Sequence, residues 1–226
     1  MIIYGKQVCL YVLEKHSKII NEIYFGKEID KALFSKFASL NKPIIKPDSK
    51  KLQSLSKGGN HQGFLLDVDV RDEFDFNFFK GCSRIIVLVG VTDVGNIGSI
   101  FRSALSFGID GIIITNTFNQ SGVARSSSGA FFDMPYMVYK NPMTLINELK
   151  YSDFKLFGSS PNESKSNNSY DSKWALFLGS EGEGLPNKII KKMDSILSIK
   201  MNKFNSLNIS VAAGILMYRM VDNTMY

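Results

Sequence analysis

Short apolar runs alternate along this chain with stretches whose apolar positions recur every three or four residues. Lys6 to Lys15 sets Val8, Tyr11 and Val12 on one side of a helix. Ile19 to Phe25 reads as a strand, and Ile29, Leu33, Phe34, Phe37 and Leu40 mark an amphipathic helix. Ile44 and Ile45 suggest a short strand after Pro43, and Asp48 is placed to cap a helix carrying Leu52 and Leu55. Phe64 to Val70 reads as another strand. Helices alternating with strands predict a small α/β domain.

The second half repeats the alternation with more deeply apolar strands. Arg84 to Val89 is the clearest of them, and it runs into a glycine-rich loop from Gly90 to Gly98. A helix from Ser99 to Phe107 follows, ended by Gly108, and then a strand from Gly111 to Thr115. Together they predict a βαβ unit. Met143 to Leu149 reads as a helix and Phe154 to Phe157 as a strand that ends at Gly158-Ser159-Ser160. The polar stretch up to Lys173 reads as a surface loop. Trp174 to Leu178 suits a strand buried on both faces, closed by Gly179. Gly182 and Gly184 follow, with Glu181 and Glu183 between the glycines, and Pro186 suits the first turn of the next helix. Ile196 to Met201 reads as the last strand. A final helix is expected to begin within residues 206–215, capped by Ser206 or Asn205.

Composition narrows the class. Of 226 residues, 44% are hydrophobic and 21% charged, as in an ordinary globular protein. No apolar run approaches the length that spans a bilayer, and the first residues lack the basic and apolar regions of a signal peptide. Cys9 and Cys82 show no metal-ligand spacing, and His16 and His61 are the only histidines. No metal is therefore expected, and the cytoplasm is the expected compartment. Residues 1–66 hold 11 lysines, 5 acidic residues and no arginine. That balance suits a sequence-tolerant grip on phosphates, or simply a solvated lysine surface. Residues 67–82 are acidic and rich in phenylalanine, and read as a join between domains. The Lys57 to Gly63 loop suits either an RNA contact or a plain turn. Ser121 to Ala130, small, polar and basic, can hold a phosphate or pack helices closely.

The glycine loops are where chemistry is expected. Glycine lets a ligand lie close against the backbone, and ligands of open α/β sheets bind beyond strand ends. Gly95 and Gly98 lack the earlier glycine of a dinucleotide fingerprint, and no Lys-Ser or Lys-Thr closes a P-loop. Asn96 and Arg102 are what the first loop and its helix offer instead. Alone, each loop reads equally well as a turn.

Three stretches, each after a strand, change this. Asn96-x-Gly98-x-x-x-Arg102, Leu178-Gly179-x-Glu181-Gly182-x-Gly184-Leu185 and Ser206-Leu207-Asn208-Ile209-Ser210-Val211-Ala212 stand in fixed order. Together they resemble the three motifs of the SpoU/TrmH family of S-adenosylmethionine-dependent RNA 2′-O-ribose methyltransferases. The resemblance covers roughly Ser83 to the last residue. Tyr4-Gly5 and the Gly59 to Gly63 loop resemble the small substrate-binding domain of the subgroup that methylates a guanosine of large-subunit rRNA. The family implies an α/β fold: a C-terminal trefoil-knotted methyltransferase domain over 83–226, a linker over 67–82 and a small N-terminal α/β substrate-binding domain over 1–66. It also implies a homodimer, an RNA substrate, most readily rRNA, and S-adenosylmethionine as cofactor. Ser159, Gly179, Ile199 and Leu207 match cofactor-binding positions. Asn96, Arg102, Glu181, Ser206 and Asn208 match catalytic and substrate-orienting ones. A ribose 2′-hydroxyl is a poor nucleophile until its charge is stabilised. Arginine keeps its proton, so Arg102 is expected to hold the adjacent phosphate and steady the developing oxyanion.

Overall fold

The computed structural model describes residues 1–70, 72–161, 170, 173–203 and 206–222. They divide into two compact units, Met1–Asp72 with Asn119–Asp133, and Glu73–Phe118 with Met134–Tyr226.

The first unit opens with β1 (Ile2–Tyr4), α1 (Lys6–Lys15) and β2 (Ile20–Phe25). Next come α2 (Lys31–Ala38), β3 (Ile44–Ile45), α3 (Ser49–Leu55) and β4 (Phe64–Val68). Strand β1 was not read from the sequence, because three residues are too few for a periodic signal. The sheet order is β1-β4-β2-β3, with β4 antiparallel to both neighbours and β3 parallel to β2. Asp30 and Asp48 cap α2 and α3, accepting from Leu33 N at 2.8 Å and Lys51 N at 2.7 Å.

The second unit begins with α4 (Phe76–Lys80), a short helix capped by Asp75 in the stretch read as a join; its Phe79 is fully buried. Then come β5 (Arg84–Val89), α5 (Val94–Ser106) and β6 (Gly111–Ile114). Helix α5 starts five residues earlier than expected. Asp93 Oδ1 accepts from Asn96 N at 2.7 Å, so half of the expected loop is the helix's first turn. Gly108 has φ +69° and ends the helix in the expected place.

Residues 119–133 belong to the first unit. There α6 (Gln120–Ser126) lies against β1, with Ser121 Oγ bonded to Ile2 O. Arg125 spreads over the Tyr4 ring at 5.6 Å, and Gly129 passes so close to Tyr11 that an added Cβ would stand 2.5 Å from its ring. Of the two expectations for this stretch, close packing is therefore what its small residues do.

The second unit continues with β7 (Tyr136–Val138), α7 (Pro142–Tyr151), β8 (Lys155–Ser159), β9 (Trp174–Gly179), α8 (Asn187–Ile190), β10 (Ser195–Leu197) and α9 (Ile209–Asp222). The sheet order is β10-β8-β9-β5-β6-β7, parallel throughout. Continuous apolar runs form its centre because both faces are covered; every residue of β9 is buried. The last strand ends at Leu197, not Met201, which leaves Ile199 beyond the sheet. From β5 the sheet extends one way through β6 and β7, and the other way through β9, β8 and β10, of which the chain forms β8 first. The topological switch therefore lies between β5 and β9, where Val89 and Gly179 end in register.

Candidate active site

At the carboxyl ends of β8, β9 and β10 the second unit holds a cavity of about 460 Å³. That is within the usual range for a small-molecule site. Its wall is built from four stretches of chain: residues 159–161, 179–190, 197–201 and 206–216. Ser159 and Ser160 leave β8, and Ser160 N donates to Leu197 O at 3.0 Å, joining the first and third stretches. The loop after β9 folds back on itself. Gly184 N donates to Ser180 O at 2.8 Å, and a Cβ on Gly179 would stand 2.0 Å from the Gly184 carbonyl carbon. Only glycine permits that approach. Ala212 and Leu216, one turn apart on α9, supply an apolar side together with Leu185, Leu197, Ile199 and Leu207.

All four residues matched to cofactor positions, Ser159, Gly179, Ile199 and Leu207, line this one cavity. Glu181 and Ser206 line it too. Asn96, Glu181 and Asn208 form a bonded cluster. Asn96 Nδ2 donates to Glu181 Oε1 at 2.8 Å, and Asn208 Nδ2 donates to the same oxygen at 2.8 Å and to Asn96 Oδ1 at 2.9 Å. Both of these bonds to Glu181 use Oε1. Asn96 is 9% exposed, so its bonds also relieve the cost of burying an amide.

Asn208 also caps α9. Its Oδ1 accepts from Ser210 N at 2.9 Å, Ser210 Oγ at 2.6 Å and Val211 N at 3.4 Å. This corrects the expected cap at Ser206 and gives Ser210 its partner; Asn205 lies outside the described residues. The carboxamide acceptor sits where it reaches the first free amides of the helix. Arg102 stands apart. It is exposed on α5 and is not among the residues lining the cavity.

Sequence reasoning missed the wall residues Leu197 and Leu216, and it quoted Leu185 and Ala212 within the motifs without giving them a role. For Leu216 the spacing from Ala212 was the available signal, and it is shared by every buried helix face. It also missed Asp93, which fixes the turn that carries Asn96.

The wall chemistry is mixed. Apolar side chains suit a flat aromatic ring, main-chain groups of 179–184 suit hydrogen bonding, and Glu181 and Glu183 suit a positive charge. Among the described residues no group of three His, Cys, Asp or Glu side chains is placed to hold a metal ion. No helix among them is long and apolar enough to cross a membrane.

Comparison with known proteins gives concordant matches. The profile of the SpoU rRNA Methylase family matches residues 83–218, and that of RNA 2′-O ribose methyltransferase substrate binding matches residues 2–72. A Staphylococcus aureus (strain MSSA476) protein, named for the TrmH family of tRNA/rRNA methyltransferases, is 32% identical over 216 residues, covering 88% of this chain and 87% of its own. A Staphylococcus saprophyticus protein of the same name is 31% identical over 224 residues, covering 92% and 90%. The solved SpoU methyltransferase AviRb of Streptomyces viridochromogenes, in complex with AdoMet, superposes with TM-score 0.81 at 21% identity, covering 100% of this chain and 90% of that one. An AdoMet-bound rRNA methyltransferase of Sinorhizobium meliloti superposes with TM-score 0.75 at 18% identity, covering 97% and 85%. These last two matches speak to the fold.

Proposed function

The chain belongs to the SpoU family of RNA methyltransferases, and from that premise we propose that it methylates the 2′-hydroxyl of a guanosine in large-subunit ribosomal RNA. The observation that carries the reading is a single cavity walled by Gly179, Ile199 and Leu207, with the bonded Asn96, Glu181 and Asn208 cluster at its edge. S-adenosylmethionine is the methyl donor, supplying an electrophilic methyl group on a sulfonium. Ser159, Gly179, Ile199 and Leu207 would hold it, the apolar wall against its adenine and the two carboxylates toward its positive charge.

The protein's own task is to make a sugar hydroxyl reactive. Glu181, held by two amides through one oxygen, is read as the group that meets a ribose hydroxyl or the donor. Arg102 stays protonated and is read as the phosphate anchor beside that ribose, where its charge also stabilises the developing oxyanion. Ser206 and Asn208 orient the substrate. Arg102 lies outside the cavity wall, so its role is toward RNA and not toward the methyl donor.

Residues 1–66 serve as the RNA-binding domain, 67–82 as the join and 83–226 as the catalytic domain, save that 119–133 pack with the first unit and α4 of the join with the second. A trefoil knot in the catalytic chain is inferred from the family it belongs to. The protein works as a homodimer in the cytoplasm. The pairing is supported by the exposed apolar residues Leu105, Val211 and Tyr218 on α5 and α9. A tRNA of the same chemistry is the alternative, favoured by the tRNA/rRNA name of the staphylococcal relatives.

The test is transfer of labelled methyl from S-adenosylmethionine into ribosomal RNA and, separately, tRNA, followed by mapping of the modified nucleotide. Label at a large-subunit guanosine 2′-oxygen is expected. Arg102→Ala is expected to lower the single-turnover rate about 100-fold or more, with donor affinity unchanged by equilibrium dialysis. Label only in tRNA would move the assignment to the alternative, and no label in either would sink the enzyme reading.

A further inference from the structure

The first unit carries a second cleft that the chemistry above does not use. Phe25 at the end of β2, Ile29, Phe34 of α2, and Ile44 and Ile45 of β3 enclose about 290 Å³. Lys27, Glu28 and Lys46 complete the lining, all three exposed. The walls are built and not incidental. Phe25 is buried, set edge-on against Phe37 and Phe64 with ring centroids at 5.2 Å and 5.8 Å. Phe34 stands 6.4 Å from Phe25, tilted by 48°, and stays 46% exposed. Lys27 is drawn over the Phe64 ring, with Nζ 5.4 Å from the centroid. Gly26 N donates to Gly63 O at 3.0 Å, which ties the Lys27 turn to the start of β4.

We propose that this cleft takes one unpaired base of the substrate RNA, stacked on Phe34, with its flanking phosphates held by Lys27 and Lys46. The proposal rests on the RNA methyltransferase reading and adds to it a specific subsite on the first unit. Proteins that read single-stranded RNA stack splayed bases on aromatic side chains and grip the backbone with cations. The surroundings have the matching charge, with 11 lysines against 5 acidic residues over 1–66. Glu28 is the exception. A carboxylate accepts only, so it suits a base edge that presents amino or imino groups. An added peptide strand is the poorer occupant: β3 is the sheet's edge but has only two residues to pair with it.

The experiment uses the full chain and two labelled RNAs, a hairpin with an unpaired purine loop carrying 2-aminopurine and its fully paired counterpart. Wild type is expected to bind the hairpin more tightly and to quench the 2-aminopurine. Phe34→Ala is expected to weaken hairpin binding about 5- to 100-fold and abolish the quenching. Paired-RNA binding and S-adenosylmethionine binding should not change. Phe34→Tyr is expected to restore both hairpin readouts, which a damaged fold would not. Lys27→Gln and Lys46→Gln are each expected to lower the salt slope by about one for both RNAs. A wild type that methylates RNA while Phe34→Ala binds and quenches like it would overturn this subsite alone. A wild type that neither binds nor methylates any RNA would remove the functional reading beneath it.

Discussion

Two asparagines hold Glu181 where a flexible glycine loop would otherwise let it wander. Their bonds converge on one carboxylate oxygen and so orient the side chain. Gly179 shows the opposite kind of constraint, an absence of atoms. A methyl group there would meet main chain at 2.0 Å, and main chain cannot rotate away as a side chain can. Gly179→Ala is therefore expected to cost at least the roughly 1–3 kcal/mol of ordinary overpacking, read as a lower denaturation midpoint. The same variant should lose donor binding, because relief requires the 179–184 loop to open.

At the level of elements, two helix ends carry chemistry through their caps. Asp93 caps α5 and sets the turn from which Asn96 points, and Asn208 caps α9 while donating to Glu181. The two duties of Asn208 can be separated. Asn208→Asp keeps the acceptor for α9 but removes the donor and sets a second carboxylate against Glu181. The α9 cap should keep its strength to within about 1 kcal/mol, read as unchanged amide protection in the first turn of α9, whereas the rate of methyl transfer falls at least tenfold; equal loss of both would refute the division. In the first unit α1 is tied to residues 130–133. The Tyr11 hydroxyl donates to Asp133, and His16 Nε2 lies 3.1 Å from the same carboxylate. Burial first, then the hydrogen bond and charge of Asp133, push the Tyr11 hydroxyl up to about 12. Its folded pKa is thus raised, so its contribution is complete below the unfolded value of about 10 and is lost as pH rises toward about 12. Tyr11→Phe should flatten part of that alkaline loss in chemical denaturation. Tyr24, raised to about 12 by its bond to Glu22, keeps part of the remainder, together with Tyr139 and the thiols of Cys9 and Cys82, which burial also raises.

For the whole molecule, the cavity belongs to the second unit alone, which makes ligand stabilisation selective. S-adenosylmethionine at about 100 times its Kd should add ~2.7 kcal/mol to the unfolding of that unit, roughly 5–10 °C by calorimetry. Gly179→Ala should show no such shift. The sequence alone was enough for the alternation of strands and helices, the buried strands 84–89 and 174–179, and the three polar stretches that follow strands, because hydrophobic period and glycine placement are local properties. Strand β1, the early start of α5, the cap at Asn208 and the short β10 were not legible, since each depends on a partner distant along the chain or on a single side-chain bond. The assignment of residues 119–133 to the first unit is of the same kind: Gly129 and Arg125 are explained only by Tyr11 and Tyr4 lying against them. What tertiary structure decided above all is that 159, 179, 199 and 207 wall one cavity. Residues so far apart in the chain share a site only after a parallel sheet has brought the ends of its strands to one edge.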